Sequence, residues 1–319
     1  MSAGPGAALR AVVNALRARR ARAAVEAAGD RSIVSVMDRS SAGTRATLRV
    51  VGGVCLGGLF VVAIGPLAWL FKAATSRTPE TLKEPFALWP SGLHWEYFGE
   101  AFSKVNFGQY LANTLWVCLG NWFFCMLVTT TGAYFLAILR PRYAKVVEAA
   151  VLATLFIPGV VTLVALYLTV IDVPFIGVNL LNSFWAVWLP AAVSAFNVLL
   201  VQRAFAALPR DLLDAAWVDG ASKLRVFWSI VLPMSKPILG VVSLLTVVNG
   251  YKDFLWPMLV LPKPSMQPMS VALPRLAETT DQAVYMAALF VALAIPVGLF
   301  LVFRKQFISA AGAQGAVKE

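Results

Sequence analysis

Two groups of residues in this chain have types and spacing suited to chemistry. The first interrupts an apolar stretch: Asn249, Tyr251, Lys252, Asp253 and Trp256. On a helix, Asn249 and Asp253 are four apart and share a face, as do Asn249 and Lys252 at three apart. Lys252 and Asp253 are neighbours and diverge. Amide, ammonium and carboxylate groups beside aromatic rings match the hydroxyls and faces of a polyhydroxylated solute. The same set serves equally well to pair this helix with a second membrane chain. The other group lies between Leu208 and Pro237, where Asp214, Asp219, Lys223 and Arg225 alternate with apolar residues.

Other chemistry is excluded by what the sequence lacks. No Gly-x-x-x-x-Gly-Lys-[Ser/Thr] loop is present to cradle nucleotide phosphates, and neither His-Glu-x-x-His nor Gly-x-Ser-x-Gly occurs. The one histidine, His94, has no second imidazole or nearby cysteine, so no metal site is expected. Asp253 as the only mid-span carboxylate argues against an ion-coupled carrier, which needs a buried titratable pair. Cys55, Cys118 and Cys125 fall inside apolar runs and read as small buried hydrophobes.

The elements that must position these residues are membrane helices. Hydrophobic residues make up 59% of the 319 and charged residues 13%, too few polar side chains to coat a globule of this size. Six apolar stretches, at about 50–71, 111–139, 146–170, 184–201, 237–261 and 283–303, are long enough to cross a hydrocarbon core roughly 30 Å thick. Pro66, Pro158, Pro190, Pro257 and Pro296 predict kinked, mutually packed helices, because only neighbours or internal water satisfy the carbonyls that proline frees. The expected fold is all-α and polytopic. Within it, Asn113, Asn121 and Asn197 are expected to bond between helices. Lys252 lies about 14 residues, or roughly 21 Å, from the inner end of its span.

The net charge of +11 follows topology, not nucleic-acid binding. Of the 27 Lys and Arg, 20 lie in the segments before residue 50, from Arg140 to Lys145, from Arg203 to Lys236 and beyond Arg304. Six lie in the alternate loops, and Lys252 is in a span. The positive-inside rule places both termini in the cytoplasm and the Lys- and Arg-free connection Asp172–Ser183 outside. The first 45 residues lack the apolar stretch of a signal peptide and read as a helical or disordered cytoplasmic arm, or as a helix on anionic lipid. The outside loop from 73 to 110, with Trp89, Trp95, Tyr97, Phe98 and Tyr110, reads as an interfacial aromatic belt or as a docking surface for an external partner.

The loop from Leu208 to Pro237 is too long for a turn and predicts two short helices. Pro209 and Asp211 suit the start of the first, and Gly220 its left-handed stop. Ser222 is expected to cap the second and Pro233 to end it, with Leu224, Phe227, Trp228 and Val231 on one inward face. In this loop Asp214-Ala215-Ala216, Asp219-Gly220-Ala221 and Ile230-Val231-Leu232-Pro233 resemble the EAA loop of binding-protein-dependent ABC importer permeases. Asp214 stands where that family usually has glutamate, one methylene longer. The resemblance extends from about Leu48 to the end. "NTLWV" from Asn113, "FIPGVVTLVALYL" from Phe156, "LLNSFWAV" from Leu180, "DFLWPMLVL" from Asp253 and the ending "GAQGAVKE" are similar to the maltose-type, six-span carbohydrate-uptake branch. Two features depart from it: Tyr251-Lys252-Asp253-Phe254 replaces Trp-Asn-Asp-Phe, and the amino-terminal arm is extended.

The resemblance implies a type I permease core in a bacterial inner membrane. It implies a cytoplasmic arm over 1–47 and a permease domain over 48–319, with a coupling loop at 208–233 and a cytoplasmic tail at 304–319. The implied partners are a second homologous permease subunit, a homodimeric cytoplasmic ATPase, an extracytoplasmic solute-binding protein and membrane lipid. No cofactor is implied, and ATP hydrolysis falls to the partner chains. Asp214, Ala215, Ala216, Asp219, Gly220, Lys223, Leu232 and Pro233 would carry the coupling. The implied solute is a sugar or oligosaccharide, with glycerol-3-phosphate or another small polar solute as the alternative.

Overall fold

The computed structural model describes residues 42–83 and 92–316. The arm up to residue 41, Trp89 and the side chains of the tail lie outside the described residues. Every described regular element is a helix. Contacts divide the chain into two units, Met1–Ala68 and Trp69–Glu319.

The described part of the first unit is the body of helix α1 (Ala42–Thr75), which begins before Leu48. Its apolar residues from Val50 to Val62 are exposed, Cys55 with them. A helix that is apolar all round is stable only in an apolar solvent. The expectation of a buried Cys55 is not met, since Cys55 is exposed.

The second unit comprises the remaining helices: α2 (Thr78–Lys83), α3 (Glu96–Lys104), α4 (Phe107–Tyr134), α5 (Ala144–Thr154), α6 (Gly159–Ile171), α7 (Trp185–Ala192), α8 (Ala195–Ala206), α9 (Arg210–Val218), α10 (Lys223–Val226), α11 (Leu232–Met234), α12 (Lys236–Lys252), α13 (Leu255–Val260), α14 (Met269–Thr279) and α15 (Gln282–Ala316). Helix α4 is the hub, packed against α7, α8 and α12, while α15 covers α12 and α3. Three helices are long and apolar enough to cross a membrane, and three bent pairs raise the number to six if each pair is one crossing. The patterning is inverted relative to a soluble protein. Trp116, Leu119, Phe123, Val160, Val164 and Leu168 are exposed, whereas Thr114, Asn121, Thr129, Asn197 and Thr246 are buried.

Proline and glycine chemistry decides where the helices bend. The stretch expected as one third span is two helices, α5 and α6, at 104°. At about 16 and 20 Å, neither alone crosses a core roughly 30 Å thick. The break is at Pro158, which has no N–H and disfavours helix for the residue before it; Leu155, Phe156 and Ile157 close the first helix by bonding three residues back. The fifth span also ends sooner than expected. Helix α12 stops at Lys252 and the chain turns at Asp253. Pro257 cannot donate to the Asp253 carbonyl, and the Ser270 hydroxyl does so instead at 2.6 Å. Gly120 marks the closest helix approach: a Cβ there would lie 2.1 Å from the Trp188 indole nitrogen, so α7 seats its largest side chain on a bare stretch of α4.

The aromatic loop is not simply a belt. Trp95 stacks with Phe71 and Phe98 at ring distances of 5.9 and 5.8 Å, Phe98 meets Phe290, and Tyr110 is buried. His94 bonds Glu96 through Nδ1 at 3.0 Å. Beside it, burial and the Glu96 carboxylate hold the Tyr97 phenol above its ordinary pKa.

Candidate functional site

The elbow between α8 and α12 is built on a closed hydrophobic seat. Leu213 from α9, Val226, Phe227 and Val231 pack into one cluster with Tyr134, Val201, Phe205 and Val242. Phe227 lies 5.0 Å from the Tyr134 ring, and the Tyr134 hydroxyl donates to the Lys223 carbonyl at 2.9 Å. Helix α9 begins after Pro209, with Asp211 in its first turn. It closes in a Schellman arrangement: Ala221 N–H donates to the Ala216 carbonyl at 2.9 Å and Gly220 N–H to the Trp217 carbonyl at 3.0 Å. Gly220 has φ of +78°, the left-handed conformation that glycine alone adopts without steric cost. Ser222 caps the next helix, its hydroxyl accepting from Arg225 N–H at 3.3 Å.

Two expectations for the second elbow helix are corrected. Pro233 does not stop it. A π turn, Phe227–Val231, carries the helix onward, with Leu232 N–H reaching the Phe227 carbonyl five residues back; the wider turn relieves the clash that proline makes with the carbonyl four back. The chain breaks instead at Ser235, with an 80° bend into α12. Val226, Phe227 and Val231 are buried, whereas Leu224 and Trp228, expected with them, are 71% and 66% exposed.

What the elbow presents outward mixes charged groups with apolar ones, Val218, Leu224 and Trp228 among them, on a rigid base. Asp214, Ala215, Asp219, Gly220, Lys223, Arg225 and Pro233 are exposed, while Ala216 and Leu232 are half-buried against the seat. Asp214 and Trp217 also flank a recess of about 360 Å³ shared with Arg140 and Arg210. Among the described residues neither acid has an ion-pair partner within the chain. Such a surface can transmit displacement and can meet a complementary charged partner. It contains nothing arranged for bond-breaking chemistry.

The second site is a cavity of about 530 Å³ at the carboxy-terminal end of α12. Asn249, Lys252 and Asp253 all line it, although helical spacing sets Lys252 and Asp253 apart, because the chain leaves the helix at Asp253. Tyr251 and Trp256 do not. The Tyr251 hydroxyl donates to the Ala292 carbonyl, and the Trp256 indole N–H donates to the Ala186 carbonyl at 2.9 Å, so both brace neighbouring helices. Thr246 joins Asn249 and Lys252 from the same helix, and Asn121 from α4, Asn197 from α8 and Ser194 at the cap of α8 converge on the lining, a convergence that no single-sequence spacing reveals. The Asn197 amide donates to Cys125 Sγ and Thr246 Oγ1, both at 3.4 Å, which is the interhelix role expected of it. Asn113 similarly anchors the Ser265 carbonyl at 2.8 Å. Asn121 differs: it is buried, and its amide oxygen has no partner. Lys252 is exposed in the last turn of α12. The helix dipole there contributes about 0.3–1 kcal/mol, against roughly 2.5–3.5 kcal/mol for a central membrane charge.

Comparison with known proteins agrees with this architecture. Residues 129–309 match the family described as "Binding-protein-dependent transport system inner membrane component". The chain is 28% identical over 253 residues to the sn-glycerol-3-phosphate transport system permease protein UgpE of Yersinia pestis bv. Antiqua, covering 76% of this chain and 88% of that protein. It is 26% identical over 253 residues to the arabinooligosaccharides transport system permease protein AraQ of Halalkalibacterium halodurans, covering 78% and 89%. Its fold is that of a chain in the crystal structure of a bacterial ABC transporter involved in the import of the acidic polysaccharide alginate, with a TM-score of 0.74 and 20% identity over 86% of this chain and 99% of that one.

Proposed function

This chain belongs to the family of inner membrane components of binding-protein-dependent transport systems, and from that membership we propose that it is the permease subunit of an ATP-driven saccharide importer. A binding protein delivers the solute outside, a second homologous permease completes the pathway, and a pair of cytoplasmic ATPase chains supplies the energy. Both termini lie in the cytoplasm. The elbow from Asp214 to Gly220 is the coupling piece, which the ATPase pushes and whose displacement reaches the spans.

The observation that carries this reading is the construction of the elbow. Its base is sunk in a cluster fed by α4, α8, α9 and α12, and its outward surface keeps two acids and two bases that form no ion pair among the described residues. A structural elbow needs only the seat. The exposed charges and the glycine-closed turn suit a helix that fits a cleft on another protein. The saccharide class is supported by the arabinooligosaccharide and alginate systems that this chain resembles. Glycerol-3-phosphate stands as the second reading, on the likeness to UgpE.

The test is reconstitution. Proteoliposomes holding this chain, its partner permease and the ATPase, with the binding protein added outside, should take up oligosaccharide only when ATP is inside. A cysteine at position 214 should cross-link to the ATPase from the inner face. Uptake that persists without ATP, or cross-linking only from the outer face, overturns the reading.

A further inference from the structure

We propose that Lys252 selects for an anionic group, carboxylate or phosphate ester, on a polyhydroxylated solute. This rests on the transport reading above and gives it a solute class. Three observations point there. Lys252 is an exposed cation in a cavity walled by α4, α7, α8 and α12, where polar groups stand among apolar ones. Asp253, its neighbour in sequence and in the same cavity, does not neutralise it: among the described residues the ion pairs are His94–Glu96 and Lys104–Glu100. Asp253 is engaged elsewhere, its carbonyl accepting from Ser270 and its carboxylate from the Trp256 backbone, which ties it to the start of α13.

The third observation is the company Lys252 keeps. Asn249 shares its face of α12, one turn earlier, and across the cavity the buried Asn121 amide has an oxygen with no partner. Unmatched buried amides are unfavourable unless something binds them. An amide oxygen accepts hydroxyl protons; an ammonium can donate to hydroxyls, but it gains most from an anion. Amides for hydroxyls and a single cation for a single anionic group describe a uronate residue or a phosphorylated polyol, not a neutral hexose.

Two arms distinguish the anion's source. The complete transporter in proteoliposomes is offered oligogalacturonate against its carboxyl-reduced neutral counterpart, and glycerol-3-phosphate against glycerol. The expected result is a preference for the charged member of one pair. In Lys252→Gln the KM for that probe rises tenfold or more while uptake of its neutral counterpart does not fall, and Lys252→Arg retains the preference. Preference for the neutral members, or equal losses for charged and neutral probes, overturns the proposal while leaving the transport reading intact. Loss of co-purification of the second permease in Lys252→Gln also overturns it, assigning the lysine to an ion pair between subunits. Absence of ATP-dependent uptake of every probe by the unaltered assembly sinks the transport reading, and this inference with it.

Discussion

Substitution of Gly220 tests the elbow most directly. Its φ of +78° lies in the left-handed region, and a Cβ added there meets nothing within 4 Å. The penalty is therefore conformational, with no steric clash to confuse it. For an L-residue this conformation costs about 1–2 kcal/mol, and asparagine tolerates it best. Gly220→Ala should destabilise the closed turn by about 1 kcal/mol, and Gly220→Val by about 2 kcal/mol or more, because β-branching crowds the same backbone. If the residue leaves the left-handed region, the bonds from Ala221 to Ala216 and from Gly220 to Trp217 open as well. A change of one to two kcal/mol lowers the ratio of closed to open turn by about 5- to 30-fold. ATP-dependent uptake and co-purification of the ATPase should fall in the order Gly, Asn, Ala, Val. Hydrogen exchange should rise at Gly220 and Ala221 and stay unchanged in α4. Wild-type uptake by Gly220→Val, or equal effects of Asn and Ala, refutes the argument from backbone conformation.

Two further substitutions examine the surface and the core separately. Asp214→Lys reverses an exposed charge at the proposed ATPase contact and should weaken retention of the ATPase about tenfold in salt-dependent pull-downs, while Asp214→Glu should retain it; unchanged co-purification at low salt counts against the contact. Gly120→Leu forces a side chain into the space of the Trp188 indole, 2.1 Å from a Cβ at that position, and should destabilise the folded subunit by about 1–3 kcal/mol, read as a lower melting temperature in detergent. Gly120→Leu, Trp188→Ala should recover part of that loss, and no recovery would place the strain elsewhere.

The parts of this molecule legible in its sequence are those where one residue dictates its own backbone. Gly220, Ser222 and Asp211 occupy the stop, the cap and the first turn that their chemistry specifies. Apolar runs likewise announce helices because the bilayer demands length. What sequence could not show is tertiary compensation. Pro233 obeys the rule that proline disrupts a helix, yet a π turn absorbs the disruption and moves the break to Ser235. Leu224 and Trp228, four apart, share an exposed face while Val226, Phe227 and Val231 are buried, so the pattern of large apolar residues assigned them to the wrong face. Tyr251 and Trp256 misled for a related reason. An amphipathic ring beside polar residues suits either a solute or a neighbouring carbonyl, and here Ala292 and Ala186 supply the carbonyls.

The cavity and the elbow are the two ends of one element. Helix α12 leaves the elbow at the Ser235 break and ends at Lys252 on the cavity, 17 residues or about 25 Å away. Its amino-terminal half carries Val242 in the cluster that seats the elbow, and its carboxy-terminal end carries Asn249 and Lys252 in the cavity lining. Between them it holds no proline after its first turn. A straight helix of this length cannot rotate at one end alone. Any tilt imposed at the elbow is delivered to the Lys252 end, whereas the breaks at Ser235 and Asp253 are the points where the chain can absorb the change of angle. The same prolines that obscure the spans in the sequence thus divide the fold into rods and joints, and place both candidate sites at joints of a single rod.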